Sequence, residues 1–247
     1  MNNVIIKDID VRYMDTAFTV KTSLTALLSY FNEVAQVAGD YYAGERDIYK
    51  RDHLAWILVN WQVLITRFPA YRERLHLVTV AHAIDRFYAY RSFYVKDTSG
   101  NTIAEGKSRW VLMDFSAKRA TEAKEDMWAL YGVERGTPAF DVELPYPLKT
   151  EHFRVTYRAM PSDIDIYNHV NNVVYARWIC DALEPDVRNG RQMKEFRILY
   201  KKEIYNDEEV FLLSQIDADN ELRTRHIFRD AHGVNLAYAS TKWELEG

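Results

Sequence analysis

The chain has 247 residues, enough for one large domain or two small ones, and its 48% apolar content is ample for real cores. Only nine glycines and six prolines exclude a low-complexity or disordered chain, and a net charge of −4 gives no global attraction for nucleic acid or an anionic membrane. The single cysteine, Cys180, excludes an internal disulfide and suits a reducing compartment; no Cys/His constellation for zinc is present, and neither metal nor cofactor is expected. The first residues lack the apolar core of a signal peptide, and no apolar stretch is long enough to span a bilayer. A soluble, cytoplasmic protein is expected.

In chain order, a short strand is predicted at about 9–14. A helix follows, carrying Leu24, Leu27, Leu28, Phe31, Val34, Ala35 and Ala38 at helical spacing, with Thr22 or Ser23 available as its cap. Strands are predicted at about 55–68, 75–84, 86–97 and 102–115. Gly132 to Pro138 and then Pro145-Tyr-Pro147 are dense in structure-breaking residues, which places a seam near residue 148. The expected units are therefore 1–147 and 148–247. Beyond the seam, a strand at Phe153–Arg158 leads to a loop, a helix near 172–183 and strands near 194–203, 208–217, 221–230 and 235–245.

The two halves repeat one another. Residues 91–112 can be laid without gaps on residues 224–245, so that Asp97, Gly100, Ala104, Trp110 and Leu112 fall on Asp230, Gly233, Ala237, Trp243 and Leu245. Both segments read as strand, Asp/Gly turn, strand, which is a hairpin signature. A helix followed by antiparallel strands, twice, is an α+β pattern. The expected fold is a tandem, or double, hotdog: two antiparallel sheets, each wrapped around a long helix. A duplicated half mimics a homodimer, which places the expected site where the copies meet. Further homodimerisation is left open.

The densest polar cluster runs from Asp163 to Tyr175, DIDIYNHVNNVVY, just ahead of the second helix. Asn171 or Asn172 can cap that helix, and Asp163 reads as a capping or solvated residue. Asp165 and His169 flank a helix start, where unpaired N–H groups and the helix dipole can hold developing negative charge. A carboxylate and an imidazole beside such a start suit acid–base chemistry on a carbonyl.

These residues carry a resemblance. Over nearly its full length the chain resembles the acyl–acyl carrier protein thioesterases of bacteria and plant plastids. His53 to Leu75 is similar to a strand segment of that family, with its tryptophan, its aromatic–proline pair and following basic residues. Asp163 to Trp178 is similar to the family signature, and Leu199 to Ile204 to a strand that ends in basic residues and a glutamate. The resemblance implies hydrolysis of fatty acyl thioesters, releasing free fatty acid from acyl carrier protein. It assigns Asp165, His169 and Glu203 to the catalytic set. Tyr167 stands where the plant enzymes have a catalytic asparagine, and Ile204 where they often have a cysteine; the latter favours attack by water.

A thioester needs little help with its leaving thiol, whose pKa is about 8.5, so a base and oxyanion donors are what remain to be supplied. Glu203, Asp165 or the pair are expected to activate water, with His169 holding water or thioester in register. The expected oxyanion donors are backbone amides at Val170 and Asn171, with Tyr167 or Asn168 as alternatives. The resemblance places an acyl slot in the first half, with Leu27, Leu28, Phe31, Trp56 and Leu58 as candidate linings. Arg188, Arg191, Lys194, Arg197, Lys201 and Lys202, against the single acid Glu195, form a basic stretch suited to an acidic carrier protein. The alternatives are an acyl-coenzyme A thioesterase and a non-catalytic acyl-thioester-binding hotdog protein.

Overall fold

Helix α1 (Leu24–Ala43) carries one apolar stripe, and that stripe organises the first half of the chain. Ser23 caps it, its hydroxyl accepting the Ala26 N–H at 3.1 Å. Leu24, Leu27, Leu28, Phe31, Val34, Ala38 and Tyr42 recur every three or four residues and are all buried. The computed structural model describes residues 3–17, 19–43, 53–185, 190–217 and 222–245. They form two compact units, Met1–Val142 and Glu143–Gly247.

In the first unit, α1 is joined by strands β1 (Val4–Asp10), β2 (Leu54–Ile65), β3 (Arg74–Ile84), β4 (Tyr88–Asp97) and β5 (Thr102–Asp114). Their order is β1-β3-β4-β5-β2 with antiparallel neighbours, and the short β6 (Arg119–Ala120) pairs with β5. Phe31 stacks on Trp61 of β2 at 5.5 Å and meets Phe93 of β4 at 5.3 Å, so aromatic rings fill the space between helix and sheet. A short helix, α2 (Asp126–Leu130), places Met127 in a core cluster with Ala38, Tyr42, Leu54 and Leu112.

The first strand lies earlier than the predicted 9–14. Tyr13–Asp15 is instead a 3-10 turn, because the Asp15 carboxylate accepts the Arg12 N–H at 3.0 Å and turns the chain away from the sheet.

The second unit contains β7 (Phe153–Arg158), α3 (Asn172–Ala182), β8 (Arg191–Tyr200), β9 (Glu209–Asp217), β10 (Leu222–Asp230) and β11 (Asn235–Leu245). The antiparallel order is β8-β11-β10-β9-β7. Val174, Tyr175, Trp178 and Ile179 form the buried stripe of α3, and Tyr175 and Trp178 meet Phe228 of β10 at 5.0 and 6.3 Å. Tyr157 of β7 stacks on Trp178 at 5.1 Å and donates its hydroxyl to the Trp178 carbonyl at 2.8 Å. With 11 residues against 20, α3 is not the long helix expected of both copies. Each unit has the hotdog arrangement.

The repeat is visible atom by atom. Asp97 accepts the N–H groups of Ser99 and Asn101, and Asp230 accepts those of His232 and Val234. Gly100 and Gly233 close these turns at φ +86° and +83°, where a Cβ is strained. One turn further along the strands, Trp110 donates its indole N–H to Ser108, and Trp243 donates to Thr241, both at 2.6 Å.

Candidate active site

The polar cluster is assembled by one buried carboxylate. After β7 the chain makes a 3-10 turn at Pro161–Asp163, where Asp163 accepts the Met160 N–H at 3.0 Å. The other Asp163 oxygen accepts Arg177 of α3 at 2.6 Å, and the Asp163 carbonyl accepts the Asn171 N–H at 2.8 Å. Asp163 therefore ties the turn, the end of the loop and the helix together. It caps, as the sequence suggests, but it is buried rather than solvated.

Between these anchors, Ile164 and Val170 form an antiparallel bridge that closes a narrow loop. Inside it, the Asp165 N–H donates to the His169 carbonyl at 2.9 Å, and Asn168 N–H donates to the Asp165 carbonyl at 3.0 Å. Asn168 sits at φ +67°, a left-handed conformation that asparagine tolerates better than most residues. The Asp165 carboxylate accepts the Tyr167 N–H at 2.8 Å, which fixes its direction.

The result brings Asp165 Oδ1 to 3.7 Å from His169 Nδ1, with the two side chains 18% and 24% exposed. The Tyr167 ring lies nearly parallel to the imidazole, 6.2 Å between centroids. Close together and each partly exposed, these two groups suit proton handling on a bound carbonyl compound.

The segment that carries Glu203 is joined to the end of this loop by a backbone bond. Val170 donates its N–H to the Ile204 carbonyl at 2.7 Å, pinning the loop to the segment that leaves β8. The Tyr200 hydroxyl donates to the Asn172 carbonyl at 3.0 Å, holding β8 to the start of α3. Glu203 is exposed, and its Oε2 accepts the Tyr205 hydroxyl at 3.3 Å. Among the described residues it makes no ion pair with Lys201 or Lys202. The buried Tyr175 hydroxyl of α3 is pushed well above its ordinary pKa, first by burial and then by the charges of Glu203 and Glu208. Glu203 therefore lies within electrostatic reach of the helix that follows the loop.

Two sets of expectations are corrected. The backbone amides of Val170 and Asn171 are not open oxyanion donors, because they already donate to Ile204 and Asp163. Asn171 instead caps α3, its Oδ1 accepting the Val173 N–H at 3.1 Å. Its Nδ2 makes no hydrogen bond among the described residues and is the better donor. Tyr167 and Asn168 are exposed at the tip of the loop.

In the basic stretch, Arg197 does not face a partner. Its side chain is 8% exposed and paired with Glu195 at 2.6 Å and Glu143 at 2.8 Å, with the Tyr146 ring 4.5 Å from the guanidinium. The segment around Glu143–Tyr146 covers that face of β8. Lys201 and Lys202 are exposed, Arg191 and Lys194 partly buried, and Arg188 lies outside the described residues.

Of the candidate acyl-slot residues, Leu27, Leu28 and Phe31 are buried on the sheet-facing side of α1. Trp56 and Leu58 on β2 are partly buried. A bulge between Leu58 and Asn60 shifts the alternation, so Trp56 and Leu58 share the face of Trp61. The structure adds Tyr205 and Tyr175 to the surroundings of Glu203, neither of them a candidate from the sequence. Both lie outside the strand pattern that periodicity reads: β8 ends at Tyr200, and Tyr175 is part of the buried stripe of α3.

Comparison with known proteins agrees with this architecture. Residues 2–131 match the acyl-ACP thioesterase N-terminal domain, and residues 146–245 match the acyl-ACP thioesterase C-terminal domain. Oleoyl-acyl carrier protein thioesterase 2 of Arabidopsis thaliana is 23% identical over 204 residues, covering 78% of this chain and 54% of that protein. The chain spans about half the length of the curated relatives it matches first. A Lactobacillus plantarum protein of known structure superposes with a TM-score of 0.91 at 20% identity, covering 100% of this chain and 98% of the other. The 12:0-ACP thioesterase from Umbellularia californica superposes at 0.84 with 19% identity, covering 100% and 99%. The structural likenesses give the fold; the two domain matches, in order and over most of the sequence, show that this chain belongs to the acyl-ACP thioesterase family.

Proposed function

We propose that the chain hydrolyses fatty acyl thioesters, releasing free fatty acid from acyl carrier protein. The observation that carries this reading is the loop itself, which holds Asp165 and His169 3.7 Å apart and is bonded to Ile204, the neighbour of Glu203. Asp165, directed by the Tyr167 N–H, orients the imidazole. Glu203 takes a proton from water as the water oxygen bonds to the thioester carbon. His169 holds the water or the thioester in register. The oxyanion is stabilised by side-chain donors, with Asn171 Nδ2 foremost, and by the start of α3. The carbon–sulfur bond then breaks, the thiolate leaves, and the proton on Glu203 returns to solvent or to sulfur.

The acyl tail is assigned to the first unit, between α1 and β2, and the chemistry to the second. The remaining exposed cations Lys201 and Lys202, beside Glu203, favour an acidic carrier. The compartment is taken to be the cytoplasm, in keeping with the single free cysteine.

The test is thiol release from a long-chain acyl carrier protein by purified protein and by Asp165→Ala, His169→Ala and Glu203→Ala. Each substitution is expected to lower turnover by about 100-fold or more with the fold intact. Near wild-type turnover in all three would overturn the site.

A further inference from the structure

Glu203 is held in place by very little. Its side chain is exposed, and among the described residues its carboxylate has one hydrogen-bond partner, the Tyr205 hydroxyl at Oε2. Tyr205, by contrast, stands on a stiff piece of backbone. Its N–H donates to the Glu208 carboxylate at 3.0 Å. The turn that follows is clamped to the end of β7, with Asp207 N–H donating to the Ala159 carbonyl and Ala159 N–H to the Glu208 carbonyl, both at 2.9 Å. Arg158 and Asp207 add an ion pair at 2.7 Å. Ile204, between the two residues, is fully buried and accepts from Val170. With the middle side chain buried, Glu203 and Tyr205 on either side of it are both exposed.

The charged and titratable neighbours of this pair include the exposed Lys201 and Lys202 on the same segment. Glu208 joins them from the turn, its carboxylate accepting the Tyr205 N–H, and the charge of Glu203 reaches the buried Tyr175 of α3. The Tyr205 hydroxyl is held protonated, its pKa raised first by the charge of Glu203 and then by burial. It is therefore a standing donor to the Glu203 side chain.

We propose that Tyr205 is a positioning residue for thioester hydrolysis: by donating to Oε2 of Glu203 it fixes the carboxylate with Oε1 turned to the attacking water. This rests on the reading of Glu203 as the base. Tyr205 touches no reacting atom and acts through Glu203.

The experiment compares the wild-type chain, Tyr205→Phe, Glu203→Gln and the double variant on an acyl carrier protein substrate, with kcat and KM followed from about pH 5 to 9. Tyr205→Phe removes one oxygen from an exposed side chain, and its melting temperature checks the fold. Its kcat is expected to fall about tenfold with KM within about twofold. The acid limb of its pH profile moves to higher pH, because the ionised carboxylate has lost a donor. In the Glu203→Gln background, loss of the hydroxyl should change the residual rate by less than about twofold. An inactive Glu203→Gln beside a Tyr205→Phe of wild-type kcat and unmoved profile overturns this proposal alone. Equal losses from Tyr205→Phe in both backgrounds overturn it too, since the hydroxyl then acts independently of Glu203. Wild-type turnover in Glu203→Gln overturns the reading of Glu203 as base, and the proposal with it.

Discussion

The loop that carries Asp165 and His169 exists twice in this chain, and only one copy has the chemistry. In the first unit, Thr16 and Thr22 form the same kind of antiparallel bridge as Ile164 and Val170. Ala17 N–H donates to the Lys21 carbonyl at 2.8 Å, as Asp165 does to His169. Val20 donates to Ala17, as Asn168 does to Asp165, and both sit in the left-handed region at φ +60° and +67°. Thr22 is pinned to the Pro69 carbonyl and Val170 to that of Ile204. Ahead of each loop is a 3-10 turn closed by an aspartate, Asp15 or Asp163.

The backbone scaffold is therefore common property, and the side chains are not. Where one copy has the carboxylate and imidazole, the other has Ala17 and Lys21. The loop alone does not make a site; it makes a frame in which positions 165 and 169 meet. Val20 shows the cost of the exchange, since a β-branched residue is poorly suited to the conformation that Asn168 adopts readily.

The strongest way to break this comparison is to give the second loop the residues of the first. Asp165→Ala combined with His169→Lys should leave the melting temperature within a few degrees, because the frame is held by backbone bonds and Asp163. Turnover on a long-chain acyl thioester should fall about 1000-fold. Unfolding of the variant would show that the frame depends on the very side chains it presents.

A smaller effect separates the two hairpins. His226 lies where the repeat places Phe93, and both are buried. Its ring nitrogens meet Ser214 at 2.8 Å and Thr224 at 2.6 Å, and burial pushes its pKa down to about 3. The unfolded chain, with an ordinary value of about 6.5, takes up the proton first, so stability is complete above about pH 6.5 and is lost as pH falls towards 3. Between pH 7 and pH 5 the loss should be about 2 kcal/mol in denaturant melts. His226→Phe, which restores the residue of the first copy, should remove that increment. An unchanged pH dependence would show that other groups set it.

Much of the fold was legible because periodicity and duplication are written in single residues. The α1 stripe, the paired Asp/Gly turns and the core-facing tryptophans each leave a local mark. The duplicated loop left none: Ala17 and Lys21 do not resemble Asp165 and His169, and their equivalence lies in backbone hydrogen bonds. Asp165, His169 and Glu203 stood out by residue type and by resemblance. The commitment of the Val170 and Asn171 amides did not, because Ile204 and Asp163 become their acceptors only in the folded chain. Arg197 misled for a similar reason. Its place on the sheet face opposite Phe196 and Ile198 follows from alternation, but its cover by Glu143–Tyr146 is a tertiary fact.

The second loop and Glu203 are proposed to form a hydrolytic site rather than a binding surface. This is tested most directly by incubating the purified chain with a long-chain acyl–acyl carrier protein and measuring free thiol and free fatty acid together. Multiple turnovers, with thiol and fatty acid released one for one, are the predicted result. Tight binding of the acyl carrier protein without release of either product would contradict it.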